Sequence, residues 1–468
     1  MNYQRIQQEH IDYFKSISPE DCIYEQLEQR TENSSDYTEN LSFLPDVVIY
    51  PQNSEHISKI AAYCHHHRIP LTCRGAGTGL SGGCLPVQHG VILNLSRLNK
   101  IISIDTSNYQ AIVEPGVINE SLQNEVQKLG LFYPPDPASK GSCTIGGNVA
   151  HSSGGPRCVK YGTTKDYILN LEVVLATGEI IQTGANVLKN STGYNLTQLM
   201  VGSEGTLGIV TKITLKLIPF PPYRALMLAY FSSAFEACST VPAIFKAGVQ
   251  PSAIEFMDEK GVNISVQHLG MQFDTKEAKA YLLIEVDAFD LPSIQSQCET
   301  IYGVLETFNP IDVILADDST SSEKLWKIRR SIGETVKAIS AYKEEDTVVT
   351  RSFLPHLYQE TMELCQANNI EVVCYGHAGD GNLHINILKL DLDDETWNNK
   401  LPNIIRKIFE ICKKYGGTIS GEHGIGLVQK SYLDIVMHQK QIELMQLIKD
   451  SFDPHRILNP GKIFDYPN

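Results

Sequence analysis

The chain has 468 residues, 42% of them hydrophobic and 20% charged, and 39 Lys+Arg against 54 Asp+Glu give a formal charge of −15. That is too apolar for a disordered chain, and the acidic balance argues against a nucleic-acid partner, which calls for clustered Lys and Arg. No window reaches the ~18 consecutive apolar residues of a membrane span, and the opening MNYQRIQQEH lacks the apolar core of a secretory signal.

The 11 cysteines contain no C-x-x-C pair, so they read as reduced thiols of a cytoplasmic protein; a peripheral contact with the inner face of the membrane and a homodimer stay open. At roughly 150 residues per domain, the length suggests two or three domains.

Residues 1–40 are polar and read as lead-in helices and a loop. From Pro45 an α/β pattern begins. DVVIY is a strand, Ile57, Ile60, Ala61 and Cys64 have helical spacing after a Ser54 cap, and LTCRG and GVILNL are further strands. AIVEPG precedes a helix over 120–129, EVVLATGEII is a hairpin turning at Thr177–Gly178, and GIVTKITLKLI is a long alternating strand. PFPPY at 219–223 marks a boundary. Beyond it, strands such as ALMLAYF and AYLLIEV alternate with helices, as in an α+β domain with an antiparallel sheet. From Lys400 the chain is mainly helical.

Arg74–Gly83 (RGAGTGLSGG) follows a strand and contains G-x-G-x-x-G at Gly77, Gly79 and Gly82. A nicotinamide fingerprint must open a helix, and CLPVQHG cannot continue one, so the Rossmann reading fails. A run of amides with few Cβ atoms suits an anion instead. Two more small-residue tracts, residues 134–166 and 202–210, suit a long dinucleotide cofactor.

RGAGTGLSGG, YPPDPAS with CTIGGNVA, and GSEGTLGIVT resemble the flavin domain of the vanillyl-alcohol oxidase / para-cresol methylhydroxylase superfamily. With GHAGDGNLHIN (376–386), SGEHGIG (420–426) and NPGKIF (459–464), the ordered set resembles the FAD-linked D-2-hydroxy-acid dehydrogenases. The resemblance implies an α+β fold. Its parts are a two-subdomain FAD-binding domain of the para-cresol methylhydroxylase type (41–220), an α+β, ferredoxin-like cap domain for substrate (221–420), and a C-terminal helical segment returning to the flavin (421–468).

It also implies FAD held by Arg74, Gly75, Ala76, Gly77, Thr78, Gly79, Leu80, Ser81 and Gly82. Pro135, Asp136, Thr144, Ile145, Gly146, Gly147, Asn148, Ser153 and Gly154 would line the cofactor, with Gly205, Gly208 and Ile209. Many relatives tether the flavin to a histidine in the first loop. This chain has Thr78 and no histidine there, so the FAD is expected to be non-covalent.

His377 and His384 flank the turn signal Asp380-Gly381 in a strand–turn–strand pattern, which brings the imidazoles across from one another; His384 and Asn386 share a strand face. Spacing alone leaves open a metal site or two histidines satisfied by hydrogen bonds. The resemblance makes His377, His384 and Glu422 ligands of a divalent ion, Zn²⁺ or Mn²⁺, and His423 the base. It implies transfer of a hydride from a 2-hydroxy acid to flavin N5, with electrons leaving to a quinone, a flavoprotein or another carrier.

Arg329, in the family's Trp-x-x-Arg element, would clamp the substrate carboxylate, with Arg351 a weaker candidate and Asn386 also holding substrate. The lysine that marks 2-hydroxyglutarate enzymes has no counterpart, which leans toward D-lactate over a diacid, with glycolate still open. Two other readings are an alkyl-glycerone-phosphate-synthase-like exchange and a non-catalytic FAD-binding subunit. His65–His67 point ~100° apart on a helix and cannot share one ion. Cys73, Cys84 and Cys143 lack a paired base, and His151 is as suited to packing as to a flavin.

Overall fold

The computed structural model describes residues 3–316 and 318–466. Contacts divide them into two compact units. The first comprises the described residues up to Ser153, Thr163–Phe220, and those from Glu422 onward; the second comprises Gly154–Gly162 and Pro221–Gly421.

In the first unit, β1 (Ile23–Tyr24), β2 (Val47–Ile49), β3 (Leu71–Arg74) and β4 (Val91–Asn94) form a sheet of order β1-β2-β4-β3, parallel across β2, β4 and β3. The helix Ser54–His67 buries Ile57, Ile60, Ala61 and Cys64 in the core under that sheet. Each large apolar side chain so buried contributes roughly 1.5–3 kcal/mol. Asn53, not Ser54, caps this helix by accepting from the His56 amide; Ser54 instead donates to Glu172 Oε1 at 2.6 Å. The expected cap is therefore displaced by one residue.

Seven further strands follow: β5 (Ile101–Asp105), β6 (Gln110–Val113), β7 (Leu131–Phe132), β8 (Ile168–Val174), β9 (Ile180–Gln182), β10 (Ile209–Lys216) and β11 (Ile218–Pro219). Five of them form an antiparallel sheet of order β5-β6-β10-β8-β9, and β7 pairs with β11. The C-terminal segment closes this unit. Leu458 bridges Leu71 in parallel, and buried Lys449 donates to Asp453 and to the carbonyls of Thr206 and Leu458.

The second unit is a seven-stranded antiparallel sheet of β12 (Tyr223–Phe231), β13 (Ala253–Asp258), β14 (Ala280–Ala288), β15 (Asp312–Leu315), β16 (Tyr342–Val348), β17 (Val372–Gly376) and β18 (Asn382–Leu388), in the order β15-β12-β14-β13-β17-β18-β16. The helices Glu259–Leu269 and Ser319–Ile339 contribute Val262, Leu325, Ile328, Ile332 and Val336 to the core on one face. In register, Tyr375, His384 and Asp346 lie side by side across β17, β18 and β16, and Val373, Asn386 and Glu344 form the next row. Period-two alternation puts both rows on one face. The segment Gly154–Gly162 docks here through Arg157 on Glu285 at 3.3 Å and through Lys160 and Tyr161 on Asp287.

Candidate active site

The first unit holds the small-residue tracts apart from Gly154–Gly162. Residues 75–90 contain no helix, and among the described residues no acceptor takes the amides of Gly75–Ser81; the Gly82 amide donates to Thr38 Oγ1 at 2.6 Å. Gly77 has φ +72, which leaves room for the Arg74 guanidinium that a Cβ would strike. A row of unpaired amides of this kind makes a nest for an anion.

The other tracts close on the same loop. A Cβ on Gly75 would overlap Thr144 Oγ1, and one on Gly83 would come within 2.8 Å of His151 Cε1. The Gly202 and Glu204 amides donate to the carbonyls of Val149 and Ala150. Ser81 Oγ and His151 Nδ1 are buried and lack hydrogen-bond partners among the described residues. Unpaired amides and orphaned polar atoms along one glycine-lined wall fit the pyrophosphate and polar edge of a dinucleotide.

Other expected cofactor residues have partners within the protein. Thr144 caps the helix Ile145–His151 by accepting from the Gly147 amide, and Asn148 donates to Asn119 at 3.1 Å. The Pro135 carbonyl accepts from Asn119 and Gln123, and Asp136 pairs with Lys140 at 3.2 Å. Gly146 and Gly208 pack tightly on Pro115 and Val173, Gly205 has φ +68, and Ile209 opens β10 in the core. Ser153 ends the first unit's first segment, and Gly154 begins the stretch belonging to the second unit.

The strap 422–427 also belongs to the first unit. Its Ile425 and Gly426 amides each donate to a Glu204 oxygen at 2.7 Å, and the Leu427 amide donates to the Ser81 carbonyl at 2.7 Å. A Cβ on Gly424 would lie 2.8 Å from both His151 Nδ1 and Glu204 Oε1. Half-buried Glu422 and His423 therefore lead a strap that is fixed to the glycine loop. Asn459 and Lys462 of NPGKIF hold the same loop through the carbonyls of Gly83 and Leu85, at 2.7 and 2.5 Å.

The second unit gathers His377, His384, Asn386 and Arg329. The link from β17 to β18 is a short 3-10 turn closed by Gly381 at φ +78, longer than a two-residue hairpin. It turns the two imidazoles edge to face, with centroids 5.3 Å apart. One nitrogen of each lies within 4.8 Å of the other, close enough to share an ion. His377 Nδ1 lies 2.8 Å from Glu255 Oε1, and His384 Nδ1 lies 3.2 Å from Glu344 Oε1.

Arg329 is buried, pairs with Glu255 at 2.6 Å and stacks over the Tyr375 ring at 4.7 Å; its Nε has no acceptor among the described residues. Burial pushes the Glu255 carboxyl up, but His377 and Arg329 push it down further, so it sits below the ordinary carboxylate range. Both amide atoms of fully buried Asn386 also lack partners among the described residues. Asp346 accepts from Asn382, Ser420 and, at 2.7 Å, the Gly421 amide, which immediately precedes Glu422.

Glu204, Glu255, Glu344 and Asp346 were not anticipated from the sequence. The signal available for Glu255 is an acid inside an otherwise apolar strand, AIEFMD. Arg351 lies over Phe245 at 3.8 Å, and His65 stacks on His455 at 4.2 Å. Burial pushes Cys73 up to about 12 and Cys84 to about 11, so neither thiol is poised as a nucleophile.

A family model described as "FAD binding domain" matches residues 45–184, and one described as "FAD linked oxidases, C-terminal domain" matches residues 220–463. The chain is 38% identical to the glycolate oxidase subunit GlcD of Bacillus subtilis, over 92% of this chain and 91% of that one. It is 35% identical to the D-lactate dehydrogenase of Anaerostipes hadrus, over 98% of both. The solved structure of p-cresol methylhydroxylase aligns with a TM-score of 0.80 at 17% identity, covering 98% of each chain, which shows a common fold. The glycine tracts, the strap and the histidine hairpin thus belong to a flavoprotein of the p-cresol methylhydroxylase fold, and the chain is a member of the FAD-linked oxidase family, an FAD-dependent oxidoreductase.

Proposed function

We propose that the protein oxidises a D-2-hydroxy acid, D-lactate first, to the 2-oxo acid, using a divalent ion and a histidine base. The observation that carries this reading is the set in the second unit. Two imidazoles lie close enough for one ion, beside a buried arginine whose Nε lacks an acceptor. A 2-hydroxy carboxylate offers a hydroxyl for the first and a carboxylate for the second. The names of the relatives, glycolate oxidase subunit and D-lactate dehydrogenase, point to the same substrate class.

In this reading the first unit binds FAD without a covalent tether and the second caps the substrate. Arg329 Nε donates to a carboxylate oxygen of the substrate. Asn386 orients the substrate with its free amide. Glu422 joins His377 and His384 as the third ligand, a role supported by its place one residue beyond Gly421, which Asp346 pins next to His384. A Zn²⁺ or Mn²⁺ ion in that set supplies Lewis acidity toward the hydroxyl. A ring nitrogen of His423 takes up the hydroxyl proton, since histidine exchanges protons near neutral pH. FAD, when bound, supplies the acceptor for the hydride. Electrons then leave to a quinone, a flavoprotein or another carrier.

The test is flavin absorbance under anaerobic conditions with a panel of short 2-hydroxy acids. D-lactate is expected to bleach the visible absorbance of the oxidised flavin faster than glycolate or D-2-hydroxyglutarate, and L-lactate is expected to leave it unchanged. A spectrum untouched by every acid of the panel contradicts the proposal.

A further inference from the structure

Glu255 is fully buried in β13, between apolar neighbours Ile254 and Phe256. A carboxylate taken out of water costs several kcal/mol unless its charge is paired. This one is paired twice. Its Oε1 and Oε2 lie 2.8 and 3.0 Å from His377 Nδ1, and Oε2 lies 2.6 Å from Arg329 Nη2. The three residues come from a strand, the turn after another strand, and a helix of the same unit. One carboxylate thus holds two side chains that serve different ends of a substrate.

The donor chemistry restricts what each partner does. A guanidinium only donates. An imidazole nitrogen facing a carboxylate at 2.8 Å presents its N–H there, so the lone pair of the neutral ring lies on Nε2. Only a nitrogen with a free lone pair can take a metal ion, and a carboxylate behind the other nitrogen fixes the ring and raises its basicity. The same Glu255 oxygen that faces His377 also orients the Arg329 fork, leaving Nε directed elsewhere and without an acceptor among the described residues.

We propose that Glu255 is the positioning residue that couples the metal half of the site to the carboxylate half: it fixes the Nε2-ligating tautomer of His377 and the orientation of Arg329 with a single shared charge. The inference rests on the reading of His377 as a metal ligand and Arg329 as a clamp. It adds that the two are not independent, because neither can turn without breaking the brace of the other.

A glutamine at this position exposes the coupling. It keeps the shape but replaces one of two acceptor oxygens with an N–H₂ donor. Both carboxylate oxygens now face donors, so either orientation of the amide sets an N–H against an N–H. Relief requires His377 to accept at Nδ1, which moves its proton to Nε2 and blocks the ligand position, or requires the Arg329 contact to break.

The experiment compares wild type, Glu255→Gln, Glu255→Asp and His377→Asn as purified FAD-loaded proteins. Zn²⁺ affinity is measured by competition with a chromogenic chelator, flavin content reports folding, and KM for D-lactate reports the clamp. Glu255→Gln is expected to keep flavin at the wild-type ratio while binding Zn²⁺ about 10–100-fold more weakly, and to raise KM. Glu255→Asp keeps the charge but reaches only one donor. It is expected to weaken Zn²⁺ binding or raise KM by a smaller factor, and it supplies the measurement if the Gln variant does not fold.

Zn²⁺ affinity within twofold of wild type in the folded variants, with His377→Asn strongly impaired, overturns the inference and leaves the metal reading standing. Wild-type protein that binds neither Zn²⁺ nor Mn²⁺ overturns both. Equal loss of flavin and thermal stability in all variants, with Zn²⁺ affinity of the folded fraction unchanged, shows Glu255 to be structural only.

Discussion

In the proposed reading, Arg329 meets the substrate carboxylate in a protein whose net charge of −15 otherwise repels carboxylates. Its environment is specific to a guanidinium. One edge meets Glu255, the flat face lies over Tyr375, and Nε is left without an acceptor among the described residues. An ammonium has neither the plane nor the second edge. Arg329→Lys is therefore expected to keep the buried charge pair while losing about 1.5–3 kcal/mol of substrate binding, a ten- to hundred-fold rise in KM for D-lactate. Steady-state kinetics check this, and an unchanged KM places the substrate carboxylate elsewhere. His377, His384, Asn386 and Arg329, which lie in one unit, could be singled out in the sequence as candidates because each sits in a motif or at a strand spacing. Glu255 was not, since its partners lie 122 and 74 residues away and an acid in a strand carries no local signature of what it faces.

Among the elements, β13 and the helix Glu259–Leu269 after it set the height of that network. Asp258 ends the strand and caps the helix, its two oxygens accepting the Gly261 and Cys374 amides, each at 2.7 Å. Burial nonetheless pushes its carboxyl up to about 7, against the pull of those amides. The unfolded chain releases this proton near pH 3.9, so the native state holds more protons between about pH 4 and 7. The stabilising contribution is then complete below the unfolded value and is lost as pH rises through about 7. Asp258→Asn, which cannot titrate, is expected to flatten the fall in melting temperature across that window. Thermal scans of both proteins at pH 5 and 7.5 check it, and parallel slopes contradict the account.

The helices and strands themselves were largely readable from apolar periodicity and turn residues, down to the Thr177–Gly178 turn that joins β8 to β9. The misplaced Ser54 cap shows the limit. Asn53 and Ser54 are both good caps by type, and Ser54 was claimed instead by Glu172, 118 residues away. The strap 422–427 was similarly opaque. Its glycines could be seen, but Glu204, which holds two of its amides, lies in a tract that read as glycine-lined cofactor wall.

For the whole molecule, the order of the motifs identified the architecture better than composition did. Apart from Gly154–Gly162, the small-residue tracts that are far apart in sequence share one unit because β3, the helix Ile145–His151 and β10 bring their ends together, and the C-terminal segment joins them through Leu71 and Leu458. Length and charge alone suggested only two or three domains and argued against a nucleic-acid partner; among the described residues, no helix is long and apolar enough to cross a membrane. In the proposed reaction, His377, His384 and Glu422 hold the ion and His423 takes up the proton. That claim is tested most directly by anaerobic reduction of the bound flavin with D-lactate, before chelation, after chelation, and after Zn²⁺ or Mn²⁺ is restored. The account predicts rapid bleaching, near-complete loss of bleaching with FAD still bound, and recovery. Undiminished bleaching in the metal-free protein would contradict it.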